Sequence, residues 1–184
     1  MNRSLSDMTV EELWQLFPIQ LSEHDPQWSA WYEDESSSLV RILGGNVARI
    51  DHIGSTYVSG LVAKPIVDIL LQVRPTADIA DVRGVLEGDG WLLMAECPER
   101  GELDLNKGYT PEGFAAKVFH LHVRREGDWD ELRFRDYLVG HSDAAAQYGE
   151  LKRRLLVKYE HNRDAYTQAK TGFIRSCVDK ARKT

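Results

Sequence analysis

The segment 65–73 constrains the fold of this chain more than any other stretch. Its apolar side chains fall on both sides of an extended backbone, at Ile66, Val67, Ile69, Leu70, Leu71 and Val73. This pattern is typical of a strand that is buried on both faces, so the segment is expected to lie inside a sheet with structure packed above and below it. One charged residue, Asp68, interrupts the apolar run.

Other strand signals lie on both sides of this segment. Alternating apolar and polar residues predict strands at 47–53 and 117–124, and a further strand is expected at 91–96. The glycine-rich stretch 101–113 is expected to be a loop or a ragged hairpin. Helices precede the strands, one long helix lies between them, and helices follow, so the order predicts an α/β (α+β) fold.

Helix starts are read from capping residues and from proline at the first turn. A polar side chain that accepts a backbone N–H replaces a hydrogen bond that the first helical turn lacks. The predicted starts are Thr9, Asp25 with Pro26, Thr76, Ser142, and Asn162 or Asp164.

The composition is that of a globular protein. The chain has 184 residues, of which 42% are hydrophobic and 28% are charged. This length predicts one domain with an appended helical part: an N-terminal helical extension at 1–20, a core at 21–127 and a C-terminal helical subdomain at 128–184.

No apolar run reaches the length of a membrane span, and the first residues lack the apolar stretch of a signal peptide, so a cytoplasmic protein is expected. Cys97 and Cys177 are interpreted as buried or bystander thiols.

The charge is unevenly distributed. The net charge is −6, and this acidic balance argues against non-specific nucleic-acid binding. Residues 150–184 nevertheless hold ten Lys or Arg and four Asp or Glu, a local charge of +6. This basic segment indicates either a solvated helix face or a surface that meets an anionic ligand. The oligomeric state is left open.

Asp68, His120 and His122 are the first candidates for chemistry. A carboxylate in a buried strand must be paired or must bind a metal, so Asp68 indicates either a site or a salt bridge to Lys64 or an arginine. His120 and His122 share one face of their strand, where they could bind a metal with Asp68, hydrogen-bond a phosphate, or serve a structural role.

Phosphate-binding candidates lie in three other places. Gly54 and Ser55 follow a strand, where backbone N–H groups and a hydroxyl can approach a phosphate or merely form a turn. Arg133 and Arg135 could grip a phosphate, or they could form an intrahelical network with aspartates. Lys170 on the last helix, together with Arg175, could face the same cleft. The chain has no Walker A loop, no HExxH and no GxGxxG motif.

Together these residues resemble the GrpB family, whose domain also occurs fused to dephospho-CoA kinase in some bacteria. The resemblance covers residues 21–178. The matching stretches are HDPQW at 24–28, HIGST at 52–56, GLVAKPIVDI at 60–69, HLHV at 120–123, RFRDYL at 133–138 and AYTQAK at 165–170.

The resemblance implies a nucleotidyltransferase-like fold: a mixed sheet flanked by helices with a C-terminal helical subdomain. It implies that Gly54 and Ser55 bind the triphosphate of an NTP, that Asp68 is the first metal ligand, and that a short helix follows Gly54. The superfold's second carboxylate falls at Leu70, and His120 and His122 stand where a later acid is expected. Whether Glu96, Glu99 or Asp104 replaces that acid is left open.

These features predict a cleft that binds a nucleotide or another phosphorylated ligand and could transfer a nucleotidyl group. Asp68, His120 and His122 would hold a divalent metal (Mn, Zn or Mg) or act as acid and base, and one Asp with two His suits Mn²⁺ or Zn²⁺ better than Mg²⁺. The phosphate contacts would come from Gly54, Ser55, Lys64, Arg133, Arg135 and Lys170. The alternatives are a non-catalytic binding or interaction domain with a degenerate metal site, and a hydrolase of small phosphorylated metabolites.

Overall fold

The computed structural model describes residues 4–183. The helices are α1 (Val10–Leu16), α2 (Gln27–Leu43), α3 (Ile79–Gly88), α4 (Asp130–Gly140), α5 (Ser142–Tyr159) and α6 (Arg163–Ala181). The strands are β1 (Val47–Ile53), β2 (Val67–Val73), β3 (Leu92–Cys97), β4 (Glu102–Thr110) and β5 (Gly113–Arg125). Within this range, no helix combines the length and the apolar character that crossing a bilayer requires.

The five strands form one mixed sheet in the order β1-β2-β5-β4-β3. Strand β2 pairs antiparallel with β1 and parallel with β5. A parallel pair needs a long connection, and here α3 and the β3–β4 hairpin supply it. Val67, Ile69, Leu70 and Leu71 of β2 are 0% exposed, so the prediction of an internal strand buried on both faces is confirmed. The mixed sheet flanked by helices is likewise confirmed.

The two faces of the sheet differ in chemistry. On one face, Val67, Ile69 and Leu71 of β2 join a hydrophobic cluster that includes side chains of α2 and α3. On the other face, Asp68 lies beside His120, and Asp104 lies beside His122. The apolar face therefore forms the main core, and the opposite face carries the polar groups.

The last three helices pack against one another and lie over part of the polar face. Leu138 of α4 and Tyr148 of α5 belong to a second cluster, which also contains Val58 and Leu61 from the connection between β1 and β2. The rings of Tyr148 and Phe173 stack at 5.2 Å between centroids, which joins α5 to α6. Because this cluster contains residues of the β1–β2 connection, the C-terminal helices pack against a segment that joins two strands of the sheet.

Of the two alternatives predicted for 101–113, a loop or a ragged hairpin, the structure has the hairpin, with an irregularity in the register between β4 and β5. The stretch pairs with β5 and β3, and pairing supplies the backbone hydrogen bonds that local glycine content does not predict. The glycines have positional roles: Gly101 (φ 64°) ends the turn before β4, and Gly108 (φ 89°) lies at an irregularity in the β4–β5 register. A Cβ at Gly108 would collide with the backbone of Lys117.

Two predicted helix caps also need correction. The Asp78 carboxylate, rather than Thr76, accepts the N–H of Ala80 at the start of α3. Ser142 is the first residue of α5 and makes no capping hydrogen bond. By contrast, Asn162 caps α6 as predicted, since its side chain accepts the N–H of Ala165.

Replacing Gly108 by alanine is expected to lower the free energy of unfolding by more than ~1 kcal/mol, because the new methyl group meets backbone and φ is positive. Gly84→Ala is the matched control: Gly84 lies inside α3 with open space beside it, so alanine should stabilise the chain by about 0.5–1 kcal/mol. Urea denaturation of both variants measures the difference. Equal effects would contradict the assigned role of Gly108.

Candidate functional site

A cleft of about 950 Å³ lies between the polar face of the sheet and the C-terminal helices. Its inner end is lined by the turn at Ser55, by Asp68, and by cationic side chains of α5, α6 and the connection before β2. Its outer end carries charges of both signs: Arg100, Glu102, Asp128, Asp130, Glu131 and Arg182. The inner end is therefore the more uniformly cationic part.

Gly54 places Asp68 and Ser55 next to each other. Its φ of 71° lies in the left-handed region, and a Cβ there would collide with the Asp68 carboxylate. Glycine removes both obstacles, so the backbone can turn directly over Asp68. The residues that follow, Ser55–Tyr57, form one turn of 3₁₀ helix, which agrees with the short helix implied by the family resemblance.

Asp68 begins a hydrogen-bonded chain across the polar face. Its Oδ1 lies 3.1 Å from Nδ1 of His120, whose Nε2 lies 2.8 Å from the Tyr109 hydroxyl. That hydroxyl also accepts a hydrogen bond of 2.9 Å from Arg163. Because Arg163 can only donate, the consistent pattern has Tyr109 donating to Nε2 and Nδ1–H donating to Asp68. Among residues 4–183 Asp68 has no ion pair with Lys64 or an arginine, so its partners are histidines instead.

His122 occupies the space between two carboxylates. Its Nδ1 is 2.8 Å from Asp104 Oδ1, and its Nε2 is 3.9 Å from Asp68 Oδ1. Asp104 also receives a hydrogen bond of 2.8 Å from Arg124. Of the acids that could replace the missing carboxylate, Asp104 is on this polar face, whereas Glu96 pairs with Arg83. Glu99 accepts a hydrogen bond from the Cys97 thiol.

The two histidines are in different charge states. Burial would lower the pKa of His122, but the hydrogen bond to Asp104 and the nearby charge of Asp68 outweigh it and raise the pKa to about 9. Burial lowers the pKa of His120, and Asp68 offsets only part of that effect. Burial alone would raise the pKa of Asp68, but the two histidines hold it well below its usual range. At neutral pH, His122 is thus an imidazolium, His120 is neutral and Asp68 is ionised.

Three lysines converge on the inner end of the cleft: Lys64, Lys152 and Lys170. Lys152 is 3% exposed, and its ammonium donates to the Ser55 hydroxyl over 3.0 Å and to the Val62 carbonyl. The Lys170 ammonium lies 4.3 Å from the centre of the Tyr166 ring. Within the described part of the chain, the ammonium groups of Lys64 and Lys170 have neither a hydrogen bond nor an ion pair.

These lysines resist protonation. Burial, followed by repulsion from Lys170 and Lys64, lowers the pKa of Lys152 to about 7. Burial and the charge of Lys64 lower the pKa of Lys170 to about 7, and burial with the charge of Arg163 lowers that of Lys64 to about 8. Asp68 is close enough to oppose each shift but does not overcome it. A bound anion would remove this repulsion.

Arg163 and Tyr166 add unsatisfied donors. Nε and Nη2 of Arg163 and the hydroxyl of Tyr166 are buried without a hydrogen-bond partner among residues 4–183. A buried donor without a partner destabilises the folded state by about 1–3 kcal/mol. Both residues line the cleft, so an oxyanion there could satisfy them.

Most, but not all, of the residues that the sequence assigned to one cleft line it in the structure. Gly54, Ser55, Lys64, Asp68, His120, His122 and Lys170 all line it. Arg133 and Arg135, also assigned to phosphate binding by the sequence, lie outside this lining. Arg133 pairs with Asp128, and Arg135 pairs with Asp136 at 2.7 Å and with Asp51 at 3.3 Å. These neighbouring acids hold both guanidinium groups, as the aspartate-network alternative supposed. Arg175 also lies outside the lining.

Sequence reasoning missed Lys152, Arg163 and Tyr109. The local excess of basic residues at 150–184 contained a signal for the first two, but it did not indicate which of its ten cations face the cleft. Tyr109 gave no signal because its stretch was interpreted as a loop or a ragged hairpin, with no register that would place the side chain. Its position becomes visible only when β4 pairs with β5.

The donor set does not fit a metal ion. Asp68 and Tyr109 occupy both ring nitrogens of His120, and Asp104 occupies Nδ1 of His122. The described residues contain no group of three or more His, Cys, Asp or Glu side chains arranged to hold a metal. Leu70, at the position of the second carboxylate, is fully buried in a small apolar cluster. No step is therefore assigned to a metal.

Comparison with known proteins identifies the family. A sequence model of the family described as GrpB protein matches residues 18–180. The chain belongs to the GrpB family. It is 35% identical to a UPF0157 protein of Pseudomonas aeruginosa over 89% of this chain and 67% of that one.

A solved structure supports the same family. The crystal structure of conserved protein GrpB from Enterococcus faecalis is 31% identical and has a TM-score of 0.76, covering 89% of this chain and 98% of that one. A dephospho-CoA kinase of Mycolicibacterium paratuberculosis is 26% identical over 89% of this chain but only 46% of its own length. The prediction of GrpB family membership is thus confirmed.

Replacing Gly54 by alanine is expected to destabilise the chain more than replacing Gly60. Both glycines have positive φ, but only Gly54 faces the Asp68 carboxylate, whereas Gly60 has open space beside it. The strain from φ is about 1–2 kcal/mol in each variant, and the collision should add about 1–3 kcal/mol in Gly54→Ala. Thermal and urea unfolding measure both. If the two variants lose equal stability, the contact with Asp68 is not a constraint.

Proposed function

We propose that the inner end of the cleft binds the phosphate groups of a small molecule, with nucleotides as the leading class. The observation that carries this proposal is the set of cationic donors that lack partners. The ammonium groups of Lys64 and Lys170 have neither hydrogen bonds nor ion pairs with described residues, and two buried donors of Arg163 are unsatisfied. Proteins keep buried charges paired, so such a group is explained by a ligand of opposite charge.

Ser55 and Lys152 are suited to orient one phosphate. The Ser55 hydroxyl accepts a hydrogen bond from Lys152, which leaves its own proton free to donate to a phosphate oxygen. Lys152 can itself donate to the same group, because an ammonium carries three donors. Lys170 and Lys64 then supply positive charge from α6 and from the connection before β2.

Nucleotidyl transfer is the finer candidate, and the hydrogen bond between Asp68 and His120 favours it. A carboxylate that orients a neutral imidazole is a general-base arrangement. For transfer, the hydroxyl of an acceptor molecule would replace the Tyr109 hydroxyl at Nε2 of His120. Its oxygen would attack the α-phosphorus while its proton passes to Nε2. Pyrophosphate would leave with the electrons of the broken P–O bond. The alternative is binding without turnover, which the hydrogen-bonded state of both histidines and the buried Leu70 favour.

Titration calorimetry with the four NTPs, pyrophosphate and orthophosphate tests this function. Lys170→Met is expected to weaken binding by about tenfold or more, because it removes an unpaired cation from the site. It should keep or raise the free energy of unfolding, since methionine retains the apolar stem without the charge. Lys117→Met is the matched control, because Lys117 is exposed on β5 and pairs with Asp34.

The absence of any phosphate binding by the wild-type chain would contradict the proposal. Equal losses in Lys170→Met and Lys117→Met would also contradict it, since only one of these lysines lines the cleft. For transfer, the release of pyrophosphate from an NTP is followed with wild type and with His120→Gln. Pyrophosphate release that His120→Gln leaves unchanged would exclude His120 as the base.

Phosphate affinity is expected to fall as the pH rises through the lowered pKa values of the lysines. Lys152 and Lys170 have pKa values of about 7 and Lys64 of about 8, so they are charged below this range and neutral above it. The ligand keeps its charge there, because the last phosphate pKa is about 6. Calorimetry from about pH 6.5 to about pH 9 should show weakening and, near neutral pH, proton uptake on binding. A flat profile would contradict this account.

A further inference from the structure

We propose that the cleft takes a di- or triphosphate without a divalent metal, with its own cations neutralising the ligand. This inference rests on the proposed phosphate-binding function and specifies the ligand further. The cations are Lys64, Lys152, Arg163 and Lys170, all of which line the inner end of the cleft. The ligand class is a nucleoside di- or triphosphate or an inorganic pyrophosphate in its metal-free form.

The charges of the polar face already balance without these four cations. Asp68 and Asp104 carry two negative charges, and His122 and Arg124, which contact them, carry two positive charges. Once a bound anion keeps Lys152 and Lys170 protonated, the four cleft cations have no other compensation at the inner end. A metal-free triphosphate carries about four negative charges at neutral pH, since its terminal group contributes about two and each inner group about one. The same triphosphate with Mg²⁺ carries about two and would leave half of the cations unmatched.

A divalent ion would also enter an unfavourable field. Lys152 lies beside Ser55, the proposed phosphate contact, so an ammonium occupies the neighbourhood in which a phosphate-bound metal would sit. Asp68, the nearest acid, already accepts a hydrogen bond from His120 and packs against Gly54. Like charges repel most strongly where water is scarce, and these cations are partly or fully buried.

Arg163 explains why more than one phosphate group is expected. Its Nη1 is held by Tyr109, and the two donors without a partner, Nε and Nη2, form the edge that binds an oxyanion through two parallel hydrogen bonds. The edge is covered in the ligand-free chain, so a small side-chain movement must expose it. Ser55 with Lys152 is thus expected to contact one phosphate group and Arg163 another, so that a monophosphate gains only one of the two contacts.

Calorimetry of the wild-type chain tests the inference with ATP, ADP, AMP, pyrophosphate and orthophosphate, each in EDTA and in excess Mg²⁺. ATP, ADP and pyrophosphate are expected to bind at least about tenfold more tightly in EDTA than in Mg²⁺, and more tightly than AMP. Orthophosphate is the internal control, because Mg²⁺ binds it weakly and should change its affinity little. Arg163→Gln should reduce the preference for ADP over AMP, and the surface variant Lys117→Met should not.

The outcomes separate this inference from the proposed function. Polyphosphate binding that strengthens with Mg²⁺ or Mn²⁺ would overturn metal-free recognition and leave phosphate binding intact. AMP and ADP of equal affinity would overturn the two-contact geometry. No binding of any phosphorylated probe, in EDTA or in metal, would overturn the proposed function and this inference together.

Discussion

The carboxylate of Asp68 in a buried strand is the constraint on which the polar half of the molecule is built. Strand β2 is otherwise apolar, and an isolated charge there would be strongly destabilising. Glycine at position 54 allows the backbone to approach the carboxylate, and His120 and His122 on the neighbouring strand stabilise its ionised form. The same pairing differentiates the histidines, because one also contacts Asp104 and the other contacts Tyr109. One partly exposed carboxylate thus contacts or approaches groups from two neighbouring strands and one turn, and through the histidines it is connected to a third set of side chains on β4.

The C-terminal helices form a cleft with this polar face of the sheet. Helices α5 and α6 bring Lys152, Arg163 and Lys170 over a sheet whose own charges are already balanced. These cations lie close together and are partly or fully buried. Burial and mutual repulsion disfavour their charged forms and therefore lower the pKa values of the lysines. Under the proposed function, this arrangement destabilises the protein without an anion and would stabilise the state with an anion bound. The combination is characteristic of a binding site rather than of a structural ion-pair network.

The fold could be predicted to a large extent, and the site in part. The internal strand with its apolar run, the order of elements and the family motifs are local properties of the chain, and the structure agrees with them. Tyr109 could not be found, because a glycine-rich stretch becomes a strand only through pairing with its neighbours. The position of Arg135 was also beyond local reasoning: its sequence neighbours suggest a phosphate grip, but Asp51 from another strand holds it elsewhere.

By itself, the sequence determined which residue types had to be accommodated: a carboxylate in an apolar strand, a glycine before a serine, two histidines on one strand face and a basic C-terminal segment. These follow from side-chain chemistry and from the two-residue period of a strand, which need no knowledge of distant contacts. Only the tertiary structure decided which cations face Ser55, which nitrogens of the histidines are already bonded, and which arginines are held by nearby acids. Those outcomes depend on packing between elements far apart in the chain, where burial and the nearest opposite charge decide the role of each ionisable group.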